Sequence, residues 1–329
     1  MNISNNIDAV ITWVDGEDPS HIKKRNFMAD KLGQEIGDNT TTRFNQSGEI
    51  NFCVRSILQY APWIRNIYIV TDSQTPFIYD LLQDTPYSHK LKIIDHSVIF
   101  KGYETHLPTF NSLAIESMLW RIPDLSENFL YFNDDCFLLR PVIQEDFFKN
   151  GQLVVRGSWK TQAHRSYSHQ LHHWLYRTPK QNDHRLIQER SASLIGYNEK
   201  FFHLPHLPFP LNKHLFQRYF TDHPQVLFNN ISHMFRQPHA QTWSISLMMH
   251  IAIQQKIVLY DRKLQAIMVH GGNHDARKIL RKLASTEHKK NASFLCMQSI
   301  DQASTSLQEN CFTWLDQQIM SVSALIQRG

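Results

Sequence analysis

The first 140 residues predict an α/β fold in which a mostly parallel sheet carries helices on both faces. Apolar runs rich in β-branched and aromatic residues recur along this part of the chain. Apolar residues at helical spacing fill the stretches between them. Strands that alternate with helices in this way are typical of βαβ units, which build parallel sheets.

Each predicted element has a recognisable start or end. The predicted strands are the runs at residues 7–14, 67–70, 91–94 and 129–132. The helix over residues 49–60 ends before Pro62, because proline cannot continue a helix. Asn111 or Ser112 can cap the helix that precedes the fourth strand.

The chain divides into three predicted segments. Residues 1–150 form the α/β half. Residues 151–205 are rich in Arg, His, Gln and Trp and predict a helical insertion. Residues 206–329 complete the fold and end in helices, because apolar residues of the C-terminal segment form a stripe that can dock on the core.

The composition is that of a globular protein with a weak positive charge. Thirty-four basic and 30 acidic side chains give a formal charge of +4. This charge suits an anionic substrate or membrane surface and gives no indication of nucleic-acid binding. The polar start MNISNN lacks a signal-peptide pattern, and no apolar run is long enough to span a membrane. We therefore expect a cytoplasmic location and four reduced cysteines.

Acidic residues follow the predicted strands at Asp15, Asp72, Asp95 and Asp134-Asp135. Parallel strands end at one edge of the sheet, so these carboxylates are expected to converge there. The alternative for each single aspartate is an ordinary turn residue. Adjacent carboxylates suit Mg²⁺, with Mn²⁺ as the second choice, because both cations bind carboxylates together with substrate phosphates.

Three arginines are candidates for phosphate binding, namely Arg43, Arg55 and Arg236. The planar guanidinium group matches phosphate geometry. For each arginine alone, a surface salt bridge is the alternative. If the chemistry is transfer at phosphorus, a base must also activate the acceptor hydroxyl, and histidine, of which the chain has 19, is the usual candidate.

Three segments resemble the first three conserved regions of the Stealth family of polysaccharide phosphotransferases. They are IDAVITWVDGEDP (7–19), RFNQSGEINFCVRSILQYAPWIRNIYIVTDSQTP (43–76) and HLPTFNSLAIESMLWRIPDLSENFLYFNDDCFL (106–138). A weaker similarity to the fourth region covers HLPFPLNK (206–213) and HMFR (233–236). One departure follows Arg236, where family members often carry acidic residues and this chain reads QPHA.

The resemblance implies a nucleotide-sugar-binding fold of the GT-A or Rossmann-like kind and a specific reaction. Hexose-1-phosphate, expected to be N-acetylhexosamine-1-phosphate, would move from a UDP-sugar to a hydroxyl of a capsule or exopolysaccharide acceptor. UMP would leave and a phosphodiester would form. The expected location is the cytoplasm, with peripheral contact to the inner face of the membrane or to a capsule-assembly complex as an additional feature.

The resemblance also assigns roles to residues. Asp134 and Asp135 would hold the metal ion, and Asp135, His206 and Arg236 would be catalytic, with His206 as the general base. The predicted substrate-binding residues are Trp13, Val14, Asp15, Gly16, Arg43, Arg55, Asp72, His106, Asn111, His233 and Asn273.

Two other functions remain open from the sequence. A metal-dependent glycosyltransferase would use the same acidic pair but would attack the anomeric carbon and release UDP. A non-catalytic protein that binds glycans or polyanions would account for the basic middle segment, which is rich in His and Trp.

Overall fold

The computed structural model describes residues 6–34, 44, 47–165, 183–272 and 275–328. The strands of these residues are β1 (Ile7–Thr12), β2 (Ile67–Thr71), β3 (Leu91–Asp95), β4 (Asn128–Asn133), β5 (Cys136–Leu138), β6 (Phe148–Lys149), β7 (Gln152–Val155), β8 (Ser158–Thr161), β9 (Lys200–His203), β10 (Phe209–Asn212), β11 (Val258–Tyr260), β12 (Gln265–His270) and β13 (Ala292–Gln298). The α-helices are α1 (Pro19–Leu32), α2 (Glu49–Tyr60), α3 (Phe77–Leu82), α4 (His96–Ile99), α5 (Ser112–Glu116), α6 (Asp183–Ser193), α7 (Lys213–Asp222), α8 (Pro224–Ile231), α9 (Ser244–Gln254), α10 (Ala276–Glu287), α11 (Thr305–Gln318) and α12 (Val322–Arg328).

The central sheet has five strands in the order β10-β4-β1-β2-β3. β1 pairs in parallel with β2 and β4, and β2 pairs in parallel with β3. β10 joins the edge antiparallel to β4. The predicted α/β class with a mostly parallel sheet is confirmed, and so are the four strands that the apolar runs predicted.

Side chains that alternate along β1 enter two different cores. Ile7, Ala9 and Ile11 pack in one core with α2 and the C-terminal helices. Val10 points into the second core, which α5 and α9 help to cover. Successive strand residues face opposite sides of a sheet, so both faces are covered by helices, as predicted.

A second sheet of three strands, β12-β13-β5, extends the first core. β12 and β13 are parallel, and β13 is antiparallel to β5. The C-terminal helix α11 docks on this core through Trp314 and Leu315. None of the helices in the described ranges is both long and apolar enough to cross a bilayer.

The segment predicted as a helical insertion, residues 151–205, is only partly helical. Its described residues contain strands β7, β8 and β9 as well as helix α6. The strands β8 and β9 form a two-stranded antiparallel ribbon. All four residues of β8 are exposed, so neither face of the strand needs apolar side chains. Its sequence SWKT therefore lacks the strict alternation of apolar and polar residues that predicts a strand.

An ion pair with a fully buried carboxylate links the amino ends of three central strands. Asp8 of β1 is completely buried, and Arg65 donates to its two oxygens at 2.9 and 2.6 Å. The same carboxylate accepts the backbone N–H groups of Asn66 and Ser126, which precede β2 and β4. These contacts hold the amino ends of the three strands side by side, so their carboxyl ends lie together at the opposite edge of the sheet.

Candidate active site

A cavity of about 310 Å³ lies at the carboxyl ends of β1 and β4. Ligands of open α/β sheets bind at this edge. The polar and ionisable residues that line the cavity come from distant parts of the chain, namely Thr12, Glu49, His96, Ser112, Glu116, Tyr131, Asn133, Asp134, Asp135, His184, His206, Arg236, Gln298, Ser299 and Asp301. The cavity therefore brings together the predicted acidic pair, the predicted base and one predicted arginine.

Asp134 and Asp135 occupy the turn between β4 and β5. Burial raises the pKa of Asp134 well above its usual value, and the nearby carboxylates of Asp135 and Glu49 raise it further. Burial also raises the pKa of Asp135, although His206 opposes this effect. Within the described ranges, neither carboxylate forms an ion pair with a lysine or arginine. A cation would relieve the repulsion between the two carboxylates.

The donor atoms around this pair fit a hard divalent cation. Glu49 at the start of α2 and Asp301 after β13 bring two further carboxylates to the same cavity. Mg²⁺ and Mn²⁺ prefer carboxylate oxygens. Asp134 and Asp135 are the residues that would hold such an ion, and their position at the cavity wall leaves it accessible to a bound phosphate.

His206 lines the cavity close to the acidic pair. Burial lowers the pKa of its imidazole, the carboxylate of Asp135 raises it, and the charge of Arg236 lowers it again. The net effect is a pKa below 6.5, so the ring is neutral near pH 7. Nδ1 lies 3.4 Å from the side-chain nitrogen of Asn133. A neutral imidazole at a cavity wall has the protonation state that a general base requires.

His184, which no sequence pattern predicts as a site residue, stacks on His206. Their ring centroids are 4.4 Å apart and the ring planes differ by 26°. The His184 ring also contacts the ring of Trp243, and the two ring centroids are 5.1 Å apart. Burial lowers the pKa of His184 to about 2, and the neighbouring groups His206, His203 and Arg236 also lower it. His184 is thus a neutral ring that fixes the orientation of His206.

Glu116 is a second cavity residue that was not predicted from the sequence. Its side chain lines the cavity from the end of α5, and only 4% of the residue is exposed. The Tyr131 hydroxyl donates to Oε1 at 3.0 Å, while Oε2 is buried and accepts no hydrogen bond of normal geometry from the part of the chain that the structure describes. Burial raises the pKa of Glu116 to about 7, against the opposing charge of Arg236. Such a perturbed carboxyl group is typical of functional sites.

Polar contacts connect Glu116 with His206. The Tyr131 hydroxyl lies 2.9 Å from Thr12 Oγ1 and 3.0 Å from Asn133 Oδ1, in addition to its contact with Glu116. The amide nitrogen of Asn133 then faces His206. These contacts form a chain of polar groups from Glu116 through Tyr131 and Asn133 to the imidazole of His206.

Arg236 supplies positive charge to the cavity. Its guanidinium donates to Ser112 Oγ at the start of α5. The same charge lowers the pKa of Glu116 and of His206. An arginine that faces a cavity beside several carboxylates is well placed to neutralise a bound phosphate.

The loop after β1 contains four predicted substrate-binding residues. Trp13 and Val14 line the cavity. Asp15 is tied to Gln74 by two hydrogen bonds, at 2.8 and 2.9 Å. A Cβ atom on Gly16 would overlap the backbone carbonyl of Phe44, so glycine is needed for this close approach.

Four further predicted residues line neither this cavity nor the one beside Asp72, as far as the described residues define them. Arg55 donates to the carbonyl groups of Met320 and Ile319 and pairs with Asp316, contacts that hold α2 against the C-terminal helices. Asn111 is buried, caps α5 and donates a hydrogen bond to the backbone carbonyl of His233. His106 packs edge-on against Phe228.

Asp72 borders a second cavity of about 470 Å³, beside the ends of β2 and β3. Its carboxylate pairs with Lys24 at 3.1 Å. Phe27 and Asp95 also line this cavity. His96 lines both cavities, so the two adjoin along the carboxyl edge of the sheet. The predicted residues Arg43 and Asn273 lie outside the described residues.

The fold and the site define an α/β protein with an acidic cavity at the carboxyl edge of its sheet. Two family models match the chain, Stealth protein conserved region 1 over residues 5–33 and conserved region 2 over residues 43–155. The chain carries both regions, and the resemblance to the Stealth family seen in the sequence is confirmed. One detail is corrected, because the segment 106–138, predicted as a third region, lies within conserved region 2.

Curated relatives of the chain are polysaccharide phosphotransferases. An exopolysaccharide phosphotransferase of Streptomyces coelicolor is 35% identical over 233 residues, which cover 70% of this chain and 37% of the relative. A capsular polysaccharide phosphotransferase of Actinobacillus pleuropneumoniae is 44% identical over 147 residues, 44% of this chain and 38% of the relative. The chain thus spans less than two fifths of the length of these two relatives.

Solved structures that are similar to this chain include two glycosyltransferases. The galactosyltransferase LgtC, in complex with donor and acceptor sugar analogues, aligns over 96% of this chain and 97% of its own, with a TM-score of 0.47 and 10% identity. Mouse xyloside xylosyltransferase 1 aligns over 88% of this chain and 97% of its own, with a TM-score of 0.42 and 9% identity.

Proposed function

We propose that the protein transfers hexose-1-phosphate, in the first instance N-acetylhexosamine-1-phosphate, from a UDP-sugar to a hydroxyl group of a capsule or exopolysaccharide acceptor. The observation that carries this proposal is the convergence of the acidic pair, His206 and Arg236 on one cavity. The names of the curated relatives support the reaction class.

In this reaction the acceptor oxygen forms a bond to the phosphorus that carries the sugar. The bond between this phosphorus and the bridging oxygen of the diphosphate breaks, and UMP leaves with that oxygen. The acceptor proton passes to the imidazole of His206, whose lowered pKa keeps the ring neutral and able to accept it. Arg236 offsets negative charge on the transferred phosphoryl group.

Asp134 and Asp135 would hold Mg²⁺, or Mn²⁺ in its place. When bound, the ion neutralises charge on the diphosphate. The two carboxylates would hold the ion at the carboxyl end of β4, while Glu116, Tyr131 and Asn133 hold His206 beside it. The protein therefore contributes mainly positioning and preorganised charge, which is the principal requirement of phosphoryl transfer.

We place the nucleoside of the donor in the second cavity, beside Asp72. The two cavities share His96 along the sheet edge. A donor that spans them would put its diphosphate at the acidic pair and its uridine over the ends of β2 and β3. Asp72 then lies within the donor site, although its partner in the described structure is Lys24.

The alternative reaction is glycosyl transfer with release of UDP, for which the same acidic pair would serve. The leaving nucleotide separates the two reactions. We expect UMP when the purified protein is incubated with a UDP-sugar, Mg²⁺ and an oligosaccharide acceptor. UDP as the product would refute sugar-1-phosphate transfer. The absence of any turnover with a panel of UDP- and GDP-sugars would favour the third hypothesis, a glycan-binding protein.

We also propose that the protein works on the cytoplasmic side of the membrane, where nucleotide sugars are available. Peripheral contact with the inner face of the membrane would bring it to a lipid-linked acceptor. Fractionation of cells that express the tagged protein, with and without a high-salt wash, would separate soluble from peripheral protein.

A further inference from the structure

Two thiols lie directly beside the acidic pair. Cys136 of β5 and Cys296 of β13 are opposite each other in an antiparallel ladder. The neighbouring pair Asp135 and Met297 is joined by a backbone hydrogen bond of 3.0 Å. Cys136 and Cys296 therefore occupy a position without hydrogen bonds between the strands, where opposed side chains approach most closely.

The carboxylate of Asp135 completes a group of three potential metal ligands. Cys136 Sγ lies 3.4 Å from Asp135 Oδ1. One ligand atom from each of Asp135, Cys136 and Cys296 can be chosen so that all three lie within 4.8 Å of one another. All four cysteines of the chain are free thiols and are buried. Asp135 lines the cavity, so an ion can reach the group from solvent.

These distances suit a tetrahedral ion with sulfur ligands. Zn–S bonds of about 2.3 Å and Zn–O bonds of about 2.1 Å place sulfur and oxygen ligands about 3.6 Å apart. The separation of Cys136 Sγ and Asp135 Oδ1 is already 3.4 Å, so that pair needs little movement. The fourth position would face the cavity and could take a water molecule.

We propose that Asp135, Cys136 and Cys296 form a Zn²⁺ site that competes with the hard-cation site for Asp135. Thiolates select Zn²⁺ over Mg²⁺, because Mg²⁺ prefers oxygen ligands and octahedral geometry. Zinc binding would draw Asp135 away from Asp134 and inhibit the enzyme. This inhibition, unlike the binding itself, rests on the proposed function.

Binding is tested first with Co²⁺, whose thiolate complexes absorb in the near ultraviolet. Titration of the reduced wild-type protein with Co²⁺ should produce a charge-transfer band, and Zn²⁺ should abolish it. The absence of this band in wild-type protein would overturn the proposed site, whatever the variants do. This measurement needs no substrate and no turnover, so it stands apart from any failure of the proposed reaction.

Variants then locate the ligands. Cys136→Ala and Cys296→Ala should each weaken Zn²⁺ binding by at least about 100-fold, because loss of a direct ligand should exceed the 10–100-fold cost of losing an outer-shell partner. Cys311→Ala is the matched control, since it removes an equally buried thiol outside the group. Circular dichroism and thermal melting check that each variant is folded. An unchanged Zn²⁺ affinity in folded Cys136→Ala and Cys296→Ala would refute the site.

The inhibitory consequence is measured as a ratio within each protein. Turnover in Mg²⁺ is compared with and without added Zn²⁺ at micromolar concentration, so differences in basal activity cancel. Wild type and Cys311→Ala should lose activity, while Cys296→Ala should keep most of its own. Equal inhibition of all three proteins would show that zinc acts elsewhere and would refute the competition for Asp135.

Discussion

Glu116→Gln should stabilise the protein at alkaline pH while it impairs the active site. Glu116 is buried and has a pKa of about 7, compared with an ordinary value of 4.5. Between these two pH values, the folded protein retains a proton that the unfolded chain has released. A rise in pH through this window therefore favours the unfolded state.

The magnitude follows from the difference between the two pKa values. A tenfold change in proton affinity corresponds to about 1.4 kcal/mol, so a charged Glu116 costs the fold about 3 kcal/mol above pH 7. Glutamine has nearly the same shape, can accept the hydrogen bond from Tyr131 and never ionises. We therefore expect the free energy of unfolding of Glu116→Gln to exceed that of wild type by up to about 3 kcal/mol near pH 8, and to match it near pH 4.5.

Urea unfolding followed by tryptophan fluorescence at several pH values measures this difference. Glu145→Gln is the control, because Glu145 is exposed and its substitution should change stability little at any pH. Turnover of Glu116→Gln should fall, because the carboxyl group lines the cavity and contacts Tyr131. A difference in stability that does not depend on pH, or a less stable variant near pH 8, would refute this effect of burial on Glu116.

Three further predictions concern the metal pair, the base and the sheet. Asp135→Asn should lose nearly all turnover, and EDTA should abolish wild-type activity until Mg²⁺ is restored. Normal turnover of the variant would exclude a metal-binding role for Asp135. His206→Ala should lower turnover and leave donor affinity largely intact. Wild-type turnover should fall as the pH drops below the lowered pKa of His206. Loss of donor affinity in the variant would instead place His206 in the donor site. Asp8→Asn should cost about 2 kcal/mol of unfolding free energy in urea denaturation, because it weakens the charge-assisted hydrogen bonds between a fully buried carboxylate and a half-buried arginine. Asp316→Asn, at an exposed carboxylate paired with Arg55, should cost less than about 1 kcal/mol, and equal costs would contradict the importance of burial.

The sheet and one side of the cavity could be predicted because their signals are local. Apolar runs alternate with helical patterns, and Asp134 and Asp135 directly follow a strand. His206 and Arg236 were predicted from resemblance rather than from spacing, since residues so far apart in sequence are brought together only by the fold. Their presence at one cavity agrees with these predictions, while their catalytic roles stay predictions.

The missed residues derive their properties from tertiary contacts. His184 lies at the start of α6, and its stacking on His206 depends on where that helix packs. Glu116 sits among apolar residues of α5, and a carboxylate at such a position is a signal that could have been noticed. Arg55 shows the opposite case, because its partner Asp316 lies 261 residues away on a helix that no local pattern links to α2.

The two edges of the central sheet differ in how they use buried charge. At the amino edge, Asp8 is matched by Arg65 and by two backbone N–H groups, so the buried charge is compensated. At the carboxyl edge, the pKa values of Asp134, Asp135 and Glu116 are all raised, so the charged forms of these groups oppose folding there. A fold retains such groups at a stability cost where a ligand supplies the missing positive charge. The carboxyl edge of the sheet is therefore arranged to bind a ligand. The amino edge, where the buried charge is compensated, stabilises the sheet.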